Sequence, residues 1–226
     1  MNVNALRGLI VSVQPEASST LAEPQQVAAL AACALANGAV AVRIESAERI
    51  AAVRARCPGA AIVGLIKRDV DGFEPYITAT LSDVEQVLDA GADAVALDAT
   101  ARPRPDASVL VTSIERIHRR GALVFADCAE LSDGRAARAA GADILATTLC
   151  GYTRETRDAK LPAFDLVTAL KALGHPFVVC EGAIGNPLQA SQAFASGADA
   201  IVVGTAITNI DLLVRCFVDV SRVHDT

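Results

Sequence analysis

The 226-residue chain is long enough for one α/β domain with a sizeable core and sits near the low end of the size range of eight-fold β/α barrels. A hydrophobic fraction of 52% with 4% aromatics and no Trp excludes a disordered chain and describes a core of Ala, Val, Leu and Ile, as parallel strands wrapped by small-residue helices require. The net charge of −6 with no basic stripe argues against nucleic acid as a partner, and six cysteines that never come closer than 22 residues leave no C-x-x-C metal or redox pair.

Taken in chain order, the first eight residues are assigned as a short helix closing the lower end of the fold, without the basic segment and apolar run of a secretory leader. Strands are expected at Leu9 to Val13, Val40 to Ile44, Ala61 to Ile66, Ala94 to Asp98, Leu123 to Asp127, Ile144 to Thr148, Phe177 to Glu181 and Ala200 to Gly204. Helices are expected at Pro24 to Ala36, Ala47 to Arg56, Ser82 to Ala90, Ser108 to Arg120, Asp133 to Ala140, Phe164 to Leu173, Pro187 to Ala195 and Asp211 to Val223. Glu23-Pro24, Ser82-Asp83 and Asn186-Pro187 supply helix-start signals. No apolar run approaches the roughly 18 residues of a membrane span, so a soluble, cytoplasmic protein with reduced thiols is the expectation, with no membrane partner.

A short phrase recurs at Gly38, Gly91, Gly141 and Gly197, each time where a helical pattern stops and an apolar strand begins. The spacings of 53, 50 and 56 residues each hold two strand-helix units. Four such spans make eight units, which predicts a single (β/α)8 TIM barrel over residues 1–226 rather than an open sheet.

In such a barrel the carboxyl ends of the strands share one face, and that is where the polar residues fall. Gln14 follows the first strand, Arg43 lies in the second and Lys67 ends the third. Asp98, Asp127, Thr147, Thr148 and Glu181 occupy the fourth to seventh. The histidines point elsewhere: His118 lies on a helix, His175 precedes a strand, and His224 is near the end of the chain. Cys128 and Cys180 adjoin Asp127 and Glu181, but the two-residue period of a strand turns neighbours to opposite faces, so these thiols should face the helices. Two glycine phrases, Glu181-Gly182-Ala183-Ile184-Gly185-Asn186 and Val203-Gly204-Thr205-Ala206-Ile207-Thr208, follow the last two strands, where barrels often present backbone N–H groups to a phosphate.

Several phrases together resemble the bacterial N-acetylmannosamine-6-phosphate 2-epimerases: Gly8 to Gln14, Ile66-Lys67-Arg68-Asp69, Tyr76-Ile77-Thr78, Ala96-Leu97-Asp98-Ala99-Thr100 with Arg102-Pro103-Arg104-Pro105-Asp106, Ala126-Asp127, Thr147 to Thr153, Glu181-Gly182 and Val202 to Ile207. The resemblance implies an isomerase of sialic acid and amino sugar catabolism that interconverts N-acetylmannosamine-6-phosphate and N-acetylglucosamine-6-phosphate by moving the C2 proton. It implies no cofactor and no metal, a phosphorylated N-acetylhexosamine as partner, and a homodimer. It casts Lys67 as the catalytic lysine and Glu181 as the catalytic carboxylate, with Gln14, Arg43 and Asp127 in substrate-contact and orienting positions. Thr148, Tyr152, Gly182, Ala183, Gly204 and Thr205 complete the expected substrate-binding set.

Lys67 can act as a base only if its pKa is lowered, which desolvation or a neighbouring Arg43 or Arg68 would do, and Asp127 is a candidate to position it by a hydrogen bond. The chain departs from the family pattern at Ala183 and Asn209, where basic residues are common, and at Glu45, an added carboxylate near the mouth. Backbone donors, or Arg154 or Arg157 in the sixth loop, are the candidates to replace a lost phosphate contact. Two other readings stay open: a lyase in which Lys67 forms a Schiff base, and a barrel that binds a sugar phosphate without turning it over.

Overall fold

A computed structural model describes residues 1–106 and 110–222 of the chain. The strands β1 (Gly8–Val13), β2 (Ala41–Glu45), β3 (Ile62–Leu65), β4 (Ala94–Asp98), β5 (Leu123–Asp127), β6 (Ile144–Ala146), β7 (Val178–Glu181) and β8 (Ala200–Val203) are all parallel and close in chain order, β1 pairing with both β2 and β8. Between them run α1 (Pro24–Ala36), α2 (Ala47–Arg56), α3 (Leu81–Asp89), α4 (Leu110–Arg119), α5 (Leu131–Ala140), α6 (Phe164–Ala172) and α7 (Pro187–Ala195), with α8 (Thr205–Thr208) and α9 (Ile210–Arg222) after the last strand. The chain is the expected TIM barrel.

The helix stops are chemical. Gly38, Gly91, Gly141 and Gly197 have φ of 99°, 96°, 95° and 99°, a left-handed conformation that a residue with a Cβ resists, and each reverses the chain into the next strand. Helix starts differ from expectation where a stronger cap lies upstream. In α3 the cap is Thr80, which forms a reciprocal capping box with Asp83, rather than Ser82. In α5 the box joins Glu130 and Asp133, so the helix starts two residues before the expected Asp133. The expected helix start at Ser108, the expected end at Val223, and His224 lie outside the described residues.

Alternation along the strands builds two apolar layers. Ile10, Ala41, Val63, Leu65, Phe125, Ile144, Phe177 and Val179 fill the barrel's interior, while Val11, Val42, Ile44, Val95, Leu97, Val124 and Ile201 pack under the helices. Cys128 and Cys180 belong to the outer layer, as the strand period predicts. Leu6, at the end of a 3-10 turn over Val3–Leu6, joins the inner cluster ahead of β1. Two residues beyond the inner apolar rows, the same inward positions become Ser12, Arg43, Asp98, Asp127 and Glu181. The site is therefore the continuation of the core, with polar groups replacing apolar ones at the carboxyl end.

Three strand ends fall short of expectation, the third strand stopping at Leu65, one residue before Ile66. The sixth strand stops at Ala146 because Thr147 and Thr148 turn their hydroxyls to neighbouring groups, and the eighth stops at Val203, where the chain coils into α8, a helix the sequence pattern does not announce. Among the described residues no helix is long and apolar enough to cross a membrane.

Candidate active site

A cavity of about 250 Å³ opens at the carboxyl ends of the strands. Of the residues expected in the site, Gln14, Arg43, Lys67, Thr148, Tyr152, Glu181, Gly182, Ala183, Gly204 and Thr205 all line it. Asp127 lies one layer below, fully buried.

Arg43 is the centre of the charge network. Its guanidinium, 1% exposed, grips Asp127 with two bonds, Nη1 to Oδ1 at 3.0 Å and Nη2 to Oδ2 at 2.7 Å, and Nη1 also donates to Glu181 Oε2 at 2.8 Å. From below, the Phe125 ring faces the guanidinium with its centroid 5.0 Å away. A forked, always-charged donor suits this place because two carboxylates buried together would otherwise repel. The Thr148 hydroxyl donates to Asp127 Oδ1 at 2.6 Å and lies 3.1 Å from Glu181 Oε2. Thr147 fixes the backbone of Glu181 from both sides, its hydroxyl accepting from the Glu181 N–H at 3.0 Å and donating to its carbonyl at 2.8 Å.

Asp127 is thus committed to Arg43 and Thr148, and the expected hydrogen bond to Lys67 is not made. Burial pushes the Glu181 carboxyl up to about 7, with Asp127 adding to the rise, while Arg43, Thr148 and Lys67 pull it down.

Lys67 is not on β3 itself. It lies in a hairpin that leaves the strand and returns, bridging Lys67 to Ile77, with Arg68 N–H on the Tyr76 carbonyl at 3.0 Å and Thr78 N–H on the Ile66 carbonyl at 2.7 Å. The Thr78 hydroxyl accepts from the Ile66 N–H at 3.2 Å and ties off the base of the hairpin. The lysine is held at the cavity rim by backbone pairing rather than left on a free loop. Its side chain is exposed at the rim, and its amine is lowered below the usual 10.5, first by partial desolvation and then by the charge of Arg43; Glu181, Glu45 and Asp127 oppose this. Arg68 is turned into an ion pair with Asp83.

Other expectations resolve similarly. Asp98 holds the loop after β4 together, accepting from the Thr100 N–H and hydroxyl at 2.9 and 2.6 Å and from Arg102 at 2.6 Å, while Arg104 donates to its carbonyl. The Asp98-to-Asp106 phrase is in that respect a structural clasp beside the site. The carboxylate of Glu45 pairs with Arg49 at 2.6 Å. Arg154 faces Glu155 at 3.6 Å, and neither Arg154 nor Arg157 lines the cavity. His118 and His175 bond to Asp143, at the start of β6 and away from the mouth.

Across the cavity from Lys67, the chain after β7 takes Gly182 and Ala183 through positive φ of 111° and 58°, opening a concave backbone beside Gly204, Thr205 and Asn209. Gln14 donates to Ser12 at 2.8 Å, and its Oε1 is buried with no partner. A buried acceptor left unpaired is costly, and a ligand N–H or O–H would satisfy it. Tyr76, Ser12 and Thr208 line the cavity although they were not expected there, and Asn209 lines it where a basic residue is common. The Tyr76-Ile77-Thr78 phrase marks the stretch, but no periodicity shows that its tyrosine folds back over the site. Among the described residues, no cluster of three or more His, Cys, Asp or Glu could hold a metal ion.

Residues 27–222 match a family model described as NanE, "Putative N-acetylmannosamine-6-phosphate epimerase". A protein of Synechococcus elongatus with the name "Putative N-acetylmannosamine-6-phosphate 2-epimerase" is 45% identical over 213 residues, covering 93% of this chain and 92% of its own. A protein of the same name from Cutibacterium acnes is 42% identical over 218 residues, covering 95% and 94%. The solved structure of the N-acetylmannosamine-6-phosphate 2-epimerase of Clostridium perfringens superposes with a TM-score of 0.91 at 32% identity, over 96% of this chain and 95% of that one.

Proposed function

Because the chain belongs to the N-acetylmannosamine-6-phosphate epimerase family, it is an isomerase acting on a phosphorylated amino sugar, and we propose that Lys67 and Glu181 are the pair that moves the proton at C2. The observation that carries this reading is that an amine with a lowered pKa and a carboxyl with a raised one line the same cavity.

The C2 hydrogen is acidic because C2 adjoins the aldehyde of the open-chain sugar. Lys67, neutral, takes that proton, the electron pair flows into the carbonyl to give an enolate-type intermediate, and Glu181, protonated, returns a proton to the opposite face. The products are N-acetylglucosamine-6-phosphate from N-acetylmannosamine-6-phosphate and the reverse. The reverse direction begins with Glu181 ionised and Lys67 protonated, so the pair holds one proton before and after each turnover and two while the enolate-type intermediate exists. Arg43 keeps Glu181 in place, Asp127 holds Arg43, and the Thr148 hydroxyl ties Asp127 to Glu181. Gln14 Oε1 suits the acetamido N–H, and the backbone after β7 with Thr205 suits the phosphate. Within this reading the enzyme serves amino sugar catabolism, including that of sialic acid, in the cytoplasm.

In heavy water, N-acetylmannosamine-6-phosphate incubated with the protein should gain deuterium at C2 as the epimer forms, and Lys67→Ala should abolish both. Epimer formed without solvent deuterium at C2 would rule out this proton transfer.

We also infer a homodimer, supported by α9. None of its described residues is buried, and it exposes Ile210, Leu212, Val214, Phe217, Val218 and Val220.

A further inference from the structure

The two ends of the cavity differ in charge. Among the described residues that line it, the basic ones are Arg43 and Lys67, both at the proton-transfer end. Arg43 is already engaged by Asp127 and Glu181. The opposite end, formed by Gly182, Ala183, Thr205, Thr208 and Asn209, presents amides, hydroxyls and a carboxamide. The Thr208 hydroxyl donates to the Ser12 carbonyl at 2.7 Å, and Asn209 Oδ1 accepts from the Leu212 N–H at 3.0 Å, which leaves the Asn209 NH₂ as donor. Arg215, the cation of α9 nearest in sequence, pairs with Glu16 at 3.2 Å and does not line the cavity.

A phosphate dianion placed at this end meets backbone and hydroxyl donors but no basic side chain, so the water it gives up is only partly replaced. A sugar hydroxyl loses far less on entering. It can accept from the same N–H groups and donate to a hydroxyl or carbonyl. The end of the cavity remote from C2 therefore offers the same donors to a phosphate or to a neutral hydroxyl and gives the dianion little charge-based advantage.

Resting on the epimerase reading, we propose that this enzyme also epimerises the unphosphorylated N-acetylhexosamine, the neutral sugar, at C2. The chemistry is unchanged: the C2 proton goes to one member of the Lys67–Glu181 pair, another returns from the second, and no bond at C6 is made or broken.

The test compares N-acetylmannosamine with its 6-phosphate, each with the full-length protein in heavy water, reading C2 deuterium by NMR. Both sugars exchange, and kcat/KM for the phosphate exceeds that for the neutral sugar by less than about a hundredfold, against roughly 10⁴-fold for a site built around a group its analogue lacks. Two variants place a cation at the neutral end. Ala183 already carries a Cβ at φ 58°, so Ala183→Lys adds charge without new backbone strain; Asn209→Arg adds it from the neighbouring turn. Either should raise the preference for the phosphate by about tenfold or more, as a charge-assisted bond to an oxyanion does. A wild-type preference above a hundredfold, or an unchanged preference in both variants, overturns the proposal. Exchange with the phosphate alone removes it and leaves the epimerase reading standing, whereas exchange with neither sugar removes both.

Discussion

Lys67 and Glu181 have their pKa values moved toward each other, and the pH dependence of the reaction follows from that. Burial raises Glu181 to about 7, and desolvation with the nearby Arg43 lowers Lys67 below 10.5. The productive state holds one proton on the pair. Below about pH 7 the pair holds two protons and no base is free. At high pH, once the lowered lysine also loses its proton, no acid remains. A profile of kcat/KM should therefore rise through about pH 7 and fall below pH 10.5, and Glu181→Gln should remove the rising limb together with the activity. A profile flat between pH 6 and 8 would mean that Glu181 is not a titrating partner. These side chains were legible in the sequence because a buried parallel strand has no other reason to place Arg43 or Glu181 two residues beyond its inward apolar positions. Their partners were not. Asp127, Arg43 and Glu181 sit on three different strands, and only the barrel's closure decides that Asp127 meets Arg43 instead of Lys67. Arg68, adjacent to Lys67, was an equally good neighbour on paper and is turned to Asp83 by the hairpin.

The hairpin after β3 is the element on which Lys67 depends, and β3 owes its position to a missing side chain. A Cβ on Gly64 would stand 2.7 Å from Ala92 Cβ, 2.7 Å from Val87 Cγ1 and 2.8 Å from Ile50 Cδ1, all inside contact distance. Glycine here allows α2, α3 and the turn before β4 to close on the strand. Gly64→Ala should destabilise the fold by about 1–3 kcal/mol, the usual cost of overpacking, and should lower kcat because the displaced strand carries Lys67 three residues on. Thermal melting and steady-state rates check both, and an unchanged Tm would show that the helices can yield. The strand itself was readable as an apolar run, and the helices as periodic segments between turn glycines. The hairpin and α8 were not readable: both lie in loops, where short-range hydrogen bonds such as Thr78 to Ile66 decide the path and leave no periodic trace. The sixth strand's early end has the same origin, since the Thr147 and Thr148 hydroxyls bond to Glu181 and Asp127, although the Thr147 N–H still reaches the Val179 carbonyl at 3.2 Å.

At the scale of the molecule, closure was countable in advance from the four glycine phrases, because eight units of regular length leave no free edge strand to cover. What covers the last helix was not countable. An amphipathic pattern states that α9 has an apolar face, not which surface meets it. Its chief contacts are with α8, and polar links tie it to the loop after β1, Asp211 to Ser19 at 2.6 Å and Arg215 to Glu16 at 3.2 Å. Its apolar side chains are left outward, Phe217 at 79% and Val220 at 64% exposed, and on α7 Leu188 is 70% exposed. Isolated exposed apolar residues are ordinary, but a helix with this many and none buried is the signature of an interface. The proposed homodimer would seat a second copy of the chain on this face, because an apolar face can meet its own like across a two-fold axis and cyclic dimers are the commonest assembly. Light scattering should give twice the 23.3 kDa of one chain. Phe217→Glu, which buries a charge at the centre of that face, should cost about 2 kcal/mol or more of association and shift the population toward monomer at micromolar concentration. Since α9 follows directly on the turn that carries Thr205 and Asn209, the same variant should also raise KM for the sugar phosphate more than it lowers kcat. A wild-type protein that runs as a monomer at every concentration, or a Phe217→Glu protein that stays dimeric, would assign the face to something other than a second copy.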